Sequence, residues 1–134
     1  MVSVVKTENI IVFVKQTLGC NCPEEVFSTL NCQSDIPCNG SLLDLKINVG
    51  NRLLIYVVTV NDPDSLVRIL PALVTAGKKE RDGEGFNRFR LVLAADDISN
   101  IGKAAGKIFS SLNEDEKVYL HTLPGKSIPQ CSAG

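Results

Sequence analysis

The sequence predicts a single domain of mixed α/β class. The chain has 134 residues, which is a usual length for one domain. Hydrophobic residues make up 44% and charged residues 22% of the chain, as in ordinary globular proteins. Short apolar runs alternate with segments whose apolar residues recur at helical spacing. We expect the domain to span residues 1–123 and a flexible tail to follow over residues 124–134.

The first predicted strand covers residues 10–14, which are apolar on both faces and therefore suit the middle of a sheet. A helix is expected to begin at Pro23, because proline fits the first helical turn and the two glutamates after it complement the positive helix end. This helix would end at Asn31, and a polar loop would follow as far as Ser41.

Two further strands are expected to form an antiparallel hairpin. Residues 43–47 alternate apolar and polar side chains, as in a half-exposed edge strand. Residues 53–60 are apolar almost throughout, as in a second central strand. The segment 48–51 between them contains residues that favour a tight turn.

A helix is expected to begin at Pro63, with Asp62 as its cap. Pro71 should bend this helix and Gly77 should end it. Residues 78–87 are charged and contain glycine, which predicts a mobile surface loop.

Three elements complete the chain. Residues 89–94 predict a third buried strand, and residues 98–112 predict a helix capped by Asp96 or Asp97. Residues 118–122 predict a last strand with an alternating pattern.

The predicted element order is β-α-β-β-α-β-α-β, and its first six elements match a ferredoxin-like fold. That fold places the first and third strands in the centre of the sheet and the second at an edge, in agreement with the apolar character of each strand. Numbering the predicted strands in chain order, we expect the sheet order 2-3-1-4-5, in which a right-handed crossover adds the outer fifth strand. A thioredoxin-like sandwich is the alternative.

Charge and hydropathy exclude two classes of partner. The 14 basic and 15 acidic residues give a formal net charge of −1, whereas nucleic-acid binding depends on cationic patches. The N-terminus lacks the pattern of a signal peptide, and no apolar run approaches the roughly 18 residues of a membrane span. We therefore expect a cytoplasmic protein that binds neither nucleic acid nor a membrane.

The most informative motif is the pair Cys20 and Cys22, between a predicted buried strand and a predicted helix start. Backbone N–H groups at a helix start stabilise a thiolate, and a disulfide across one residue is strained and easily reduced. We therefore expect these cysteines to be redox thiols, with Cys22 activated and Cys20 resolving it. The alternative is that the cysteines are small buried hydrophobic residues.

A zinc or iron–sulfur site would need Cys32 and Cys38 to join Cys20 and Cys22. The spacings of one, nine and five residues match no common zinc or ferredoxin pattern. The predicted helix would also separate Cys22 from Cys32 by about 13 Å, so a shared site requires the following loop to fold back. Cys131, in the tail, is expected to be a surface thiol.

Other polar residues have simpler interpretations. His121, the only histidine, has no nucleophile near it in the sequence and is expected to be an ordinary strand residue. Asp96 and Asp97 could hold a metal, but helix capping accounts for at least one of them. Residues 102–107 lack the pattern of a phosphate loop, and Arg90 is expected on the solvent side of its strand.

Two functions therefore remain open, and the sequence leaves undecided whether the protein is an enzyme. The first is a small thiol protein that exchanges electrons with a protein partner, or binds a metal, through its Cys-x-Cys loop. The second is a non-enzymatic module, with incidental cysteines, that binds a partner or small effector or forms homo-oligomers through its strand edges.

Overall fold

A computed structural model of the chain describes Phe13 and residues 30–38, 41–112 and 118–128. In these ranges five strands form one mixed sheet, in the order β1-β2-β3-β4-β5. The strands are β1 (Leu30–Cys38), β2 (Ser41–Val49), β3 (Leu53–Thr59), β4 (Arg88–Ala95) and β5 (Val118–Pro124). The helices are α1 (Leu66–Glu84), which connects β3 to β4, and α2 (Ile98–Leu112), which lies between β4 and β5.

The first three strands form an antiparallel meander, whereas β3, β4 and β5 run parallel. Cys38 of β1 is paired with Ser41 of β2, and the sequence between them, Asn-Gly, is one that favours a tight hairpin. At the β2–β3 turn, Gly50 and Asn51 have φ angles of 61° and 58°. Glycine and asparagine tolerate this left-handed conformation better than other residues do.

The sheet separates two apolar cores. The first core lies between the sheet and the two helices and contains Leu54, Phe89, Leu70 and Ile101. Both helices pack on this face because both crossovers advance by one strand in the same direction and such crossovers are right-handed. The second core lies on the opposite face; its buried members are Phe13, Leu45, Ile47, Val49, Leu53, Ile55, Val57 and Val92.

The structure confirms the mixed α/β class, the hairpin of residues 43–47 and 53–60, and the outer position of residues 118–122. The predicted strand order is wrong at one position. β3 pairs directly with β4 along seven residues, so no strand lies between them. Of the predicted strand at residues 10–14 only Phe13 is described, and its backbone is π-helical. The predicted ferredoxin-like strand order is therefore wrong. The two consecutive hairpins, β1–β2 and β2–β3, do not support the thioredoxin-like alternative.

The segment 31–41, predicted as a polar loop, instead contains β1, which pairs with β2 from Leu30–Val49 to Cys38–Ser41. The predicted helix therefore cannot extend to Asn31, which is part of the strand. Residues 23–29 of that helix lie outside the described part of the chain. Because β2 pairs with β1 on one side and with β3 on the other, the strand with the alternating pattern is internal and not an edge strand.

The predicted loop at residues 78–87 is also mostly regular, because α1 continues through Glu84. The helix ends at Gly85, whose left-handed φ of 79° is typical of a helix C-terminus. Gly77 is therefore not the terminator. It lies inside the helix, where the ring of Phe89 packs against it.

Two of the three predicted helix starts are confirmed, and the third, at Pro23, lies outside the described residues. The side chain of Asp62 accepts a hydrogen bond from the Asp64 N–H, and a 3-10 turn at Pro63–Ser65 leads into α1. Asp97 caps α2 by accepting a hydrogen bond from the Asn100 N–H at 3.1 Å.

The boundary of the predicted tail moves towards the C-terminus. Pro124 belongs to β5, Gly125–Ser127 form a 3-10 turn, and Ile128 packs against the second core. None of the helices that the structure describes is long and apolar enough to cross a membrane.

Candidate functional site

A polar pocket of about 260 Å³ lies between the sheet and the C-terminal end of α1. Its floor belongs to the helix-bearing face of β1, β2 and β3, where alternate side chains of adjacent strands lie side by side. The pocket is lined by Asn31, Gln33, Lys46, Asn48, Asn51, Leu54, Glu80, Glu84 and Phe86.

The strand register explains why these polar groups meet. Asn31 of β1 is paired with Asn48 of β2, and Gln33 is paired with Lys46. Across the next ladder Lys46 is paired with Tyr56 of β3. Directly opposed residues have Cβ atoms about 4.5–5.5 Å apart, so neighbouring strands bring these side chains into contact distance.

Glu80 connects the helix to this floor. Its carboxylate forms an ion pair with Lys46 and accepts a hydrogen bond from the hydroxyl of Tyr56. The side chains of Lys46 and Glu80 are 27% and 24% exposed, so the ion pair lies at the boundary between solvent and the first core. Tyr56 is buried, and its ring packs edge-to-face on Phe89 with the centroids 4.9 Å apart. This network fixes α1 over the pocket floor.

Glu84, one helical turn after Glu80, adds a second carboxylate to the pocket. It forms no ion pair with another residue that the structure describes. Lys46 contributes one positive charge and the two glutamates contribute two negative charges, so the formal charge of the pocket is −1. An anionic ligand would meet a like charge here, whereas a neutral or cationic ligand would not.

Four carboxamide side chains supply most of the hydrogen-bonding groups. Each carboxamide both donates and accepts, so it can bind hydroxyl, amine or amide groups. Asn48 and Asn51 are held in place at the rim, because Asn48 Nδ2 donates to Asn51 Oδ1 and the Asn51 N–H donates to Asn48 Oδ1, both at 2.8 Å. Asn31 and Gln33 are exposed on β1, at the outer side of the pocket.

Cys32 lies between these two pocket residues, but its side chain is on the opposite face and packs against the second core. It is disulfide-bonded. Cys38 lies six positions further along the continuous strand, which corresponds to about 20 Å at roughly 3.3 Å per residue. Cys38 is therefore not its bonded partner, and that partner lies outside the described side chains.

The same distance argues against the four-cysteine metal site, which otherwise stays a prediction because the side chains of Cys20, Cys22 and Cys38 lie outside the described part of the chain. One zinc ion needs its sulfur ligands about 2.3 Å away, so it cannot bind both Cys32 and Cys38. The separation arises from an extended strand and not from the rigid helix that the sequence suggested. Cys20, Cys22 and Cys131 lie outside the described residues, and the redox role of the first two stays a prediction. Among the residues that the structure does describe, no group of three or more histidine, cysteine, aspartate or glutamate side chains is placed to hold a metal ion.

A second polar cluster lies on the opposite face of β4 and β5. Arg90 Nη1 is 2.9 Å from His121 Nε2, and the Arg90 guanidinium lies 4.9 Å from the centroid of the Tyr119 ring. Arginine can only donate, so Nε2 accepts and the imidazole is neutral. Burial, together with the charge of Arg90, lowers the pKa of His121 to about 4. Arg90 is 7% exposed, so its predicted position on the solvent side is wrong.

The remaining sequence candidates have structural roles. Asp97 is the cap of α2, and the N–H of Asp96 donates to Asn61 Oδ1 at 2.9 Å. Residues 102–107 lie inside α2, as predicted. A Cβ at Gly102 would lie 3.7 Å from Thr122 Oγ1, so the helix approaches β5 closely there.

None of the pocket residues was identified from the sequence. One signal was available in Asn39-Gly40, which predicts a hairpin and therefore a strand before residue 39. That strand would have made β2 internal and placed polar residues of two adjacent strands side by side on one face of the sheet. No protein-family model matches the chain, and no curated protein or solved structure matches it either.

Proposed function

We propose that the protein is a binding module for a small polar molecule that is uncharged or positively charged, held in the pocket between β1, β2, β3 and α1. The observation that carries this proposal is the convergence of four carboxamides on an ion pair that is itself fixed by a buried tyrosine. Polar groups held in place before binding lose less conformational entropy when a ligand arrives.

The size of the pocket supports a compact ligand. Pockets for drug-sized molecules measure roughly 300–1,000 Å³, and this pocket, at about 260 Å³, is slightly smaller. A single sugar ring or an amino acid has suitable dimensions. Phe86, which is partly exposed, offers a small apolar surface to such a ligand, while the carboxamides offer hydrogen bonds to its hydroxyl or amine groups.

Three ligands that share one ring and differ in charge test the proposal. We expect glucosamine, which carries an ammonium group, to bind most tightly, glucose to bind more weakly, and glucose 6-phosphate to bind least. In a ¹⁵N NMR titration the side-chain NH₂ signals of Asn31, Gln33 and Asn48 should shift together. Preferred binding of the phosphate, or shifts that avoid these three signals, would refute the proposal.

The substitution Glu84→Gln isolates the charge effect. It keeps the shape of the side chain but removes a carboxylate that is exposed to solvent. An exposed ion pair contributes about 0.2–1 kcal/mol, so glucosamine affinity should fall roughly 1.5- to 5-fold while glucose affinity stays unchanged. Asp64→Asn removes an exposed carboxylate outside the pocket and is the matched control. An equal effect of the two substitutions would argue against a direct role of Glu84.

The disulfide of Cys32 favours a second candidate function, which is reversible thiol–disulfide chemistry with a protein redox partner. In this version Cys20 and Cys22 exchange with that bond or with the partner. A zinc or iron–sulfur site would need Cys32 as a free thiolate, so it could form only in the reduced protein. Mass spectrometry of the peptide bonded to Cys32, before and after reduction by a dithiol, tests this candidate. A bond that resists the dithiol in the native protein would argue against it.

A further inference from the structure

We infer that the polar pocket selects amino alcohols over diamines, and that Lys46 is the residue that determines this selectivity. An amino alcohol carries an ammonium group at one end and a hydroxyl group at the other. This selectivity rests on the proposed function of the pocket as a ligand site. Its basis is the placement of three charged side chains that line the pocket, Lys46, Glu80 and Glu84.

Lys46 is held in the middle of the pocket floor. Its strand, β2, pairs with β1 and with β3, and Lys46 itself is opposite Gln33 on one side and Tyr56 on the other. Its ammonium group forms an ion pair with Glu80 of α1, and the same carboxylate accepts a hydrogen bond from the Tyr56 hydroxyl. The charge of Glu80 is therefore balanced by a cation that belongs to the protein.

Glu84 provides the position for the ammonium group of the ligand. It lines the pocket and is exposed to solvent, so a ligand can reach its carboxylate. It is also the last residue of α1, and the final carbonyl groups of a helix carry a partial negative charge that favours a cation. Arg81, in the same turn, forms an ion pair with Asp82 at 3.0 Å, so this pair adds no net charge.

The other end of the ligand then lies at the ion pair between Glu80 and Lys46. Glu80 and Glu84 are four residues apart on α1, which corresponds to about 6 Å along the helix axis. A ligand with a four-carbon chain spans a similar distance. The Lys46 ammonium has only N–H donors, so a hydroxyl oxygen can accept a hydrogen bond from it, whereas a second ammonium group cannot.

The balance of charge favours the same class of ligand. The charged side chains among the described pocket residues give a formal charge of −1, and the first ammonium group of a ligand neutralises it. A second ammonium group gains no net attraction and lies beside the like charge of Lys46. Without the charge of Lys46 the two glutamates would attract both ammonium groups of a diamine.

Titrations with 4-aminobutanol and 1,4-diaminobutane test the inference, because the two compounds have the same carbon chain and differ in one end group. In ¹⁵N NMR titrations that follow the side-chain NH₂ signal of Asn48, the wild type should bind 4-aminobutanol more tightly, by roughly 1.5- to 5-fold. Lys46→Gln should reverse this preference, because the diamine then loses a repulsion and gains an ion pair with Glu80. The ratio of the two affinities should change roughly 2- to 25-fold.

Two further variants are controls. Lys46→Arg keeps a positive charge that only donates hydrogen bonds, so it should keep the wild-type preference. Lys79→Gln removes a positive charge from an exposed position of α1 outside the pocket, so it should leave the ratio unchanged. In the wild type, NOEs should connect the methylene group next to the ligand's ammonium with Glu84 and the one next to its hydroxyl with Lys46.

Equal or tighter binding of 1,4-diaminobutane by the wild type would overturn the inference, and glucosamine binding by the same sample would leave the proposed function intact. An unchanged ratio in Lys46→Gln, or an equal change in Lys79→Gln, would overturn it as well. Absence of binding of all three compounds would refute the proposed function and the inference with it. If Lys46→Gln does not fold, the comparison of the two compounds in the wild type and in Lys46→Arg decides the question.

Discussion

Replacing Gly77 with alanine should destabilise the protein, because the ring of Phe89 occupies the space that the new methyl group needs. An ideal Cβ at Gly77 would lie 2.1 Å from Phe89 Cζ and 2.2 Å from Cε2. Carbon atoms in favourable contact are about 3.5–4.0 Å apart. Phe89 is fully buried and packs against Tyr56 as well, so the ring cannot move away without disturbing the first core.

Two opposing effects set the magnitude. Overpacking of a core costs about 1–3 kcal/mol, and an overlap of this depth belongs near the upper end. Alanine is a better helix former than glycine and returns about 1 kcal/mol. The free energy of unfolding should therefore fall by about 1–2 kcal/mol, which for a domain of this size lowers Tm by about 3–10 °C.

Gly83→Ala on the same helix is the matched control. A Cβ at Gly83 meets nothing within 4 Å, so only helix propensity acts and this variant should gain up to about 1 kcal/mol. Urea denaturation of both variants under oxidising conditions measures the difference, provided that the m-value is unchanged. Adding Phe89→Leu to Gly77→Ala should recover part of the loss, since the smaller side chain makes room.

Equal stabilisation by Gly77→Ala and Gly83→Ala would refute the reasoning. It would mean that α1 does not pack on Phe89 at the close distance that the structure gives. Failure of Phe89→Leu to improve on Gly77→Ala would instead indicate that the strain comes from a different contact.

Two further predictions concern protonation and capping. His121 has a folded pKa of about 4 against an ordinary value of 6.5, so between these pH values the unfolded state binds more protons. Protonation of His121 therefore destabilises the fold only below pH 6.5, and the loss grows as the pH falls towards 4. Because the side chain is partly exposed, solvent screening keeps this loss below about 3 kcal/mol, the value that the full shift would give. Denaturation midpoints at pH 7 and 4.5 should differ less in His121→Gln than in wild type, and an equal difference would contradict this. Asp97→Ala should lose about 0.5–2 kcal/mol because it removes the cap on the Asn100 N–H, whereas Asp96→Ala should lose little. Thermal denaturation compares the two, and similar losses would show that Asp97 is not the dominant cap.

Local signals account for what the sequence predicted correctly. Asp62 and Pro63 mark a helix start through backbone geometry and a side-chain hydrogen bond, and both are properties of adjacent residues. The strands near residues 53–60 and 89–94 were identified because their apolar runs require burial wherever they lie. These features need no knowledge of distant parts of the chain.

Glycine illustrates where local signals are ambiguous. Gly77 and Gly85 both suit the end of a helix, and only Gly85 has the left-handed φ that such an end requires. Gly77 instead permits close contact with Phe89, which is 12 positions away in the sequence. In the sequence, a glycine that ends a helix cannot be distinguished from a glycine that permits close packing until the strand that packs against it is known.

The order of the strands and the pocket were decided by the tertiary structure. An apolar run does not specify its neighbour, so the direct pairing of β3 with β4 could not be read from either strand. β1 is polar and half-exposed, and it is a strand because β2 pairs with it along its length. That pairing makes β2 internal, and the packing of α1 on the same face of the sheet brings Lys46 under Glu80. The sequence determined which segments must be buried, whereas long-range backbone pairing determined which polar side chains share a pocket.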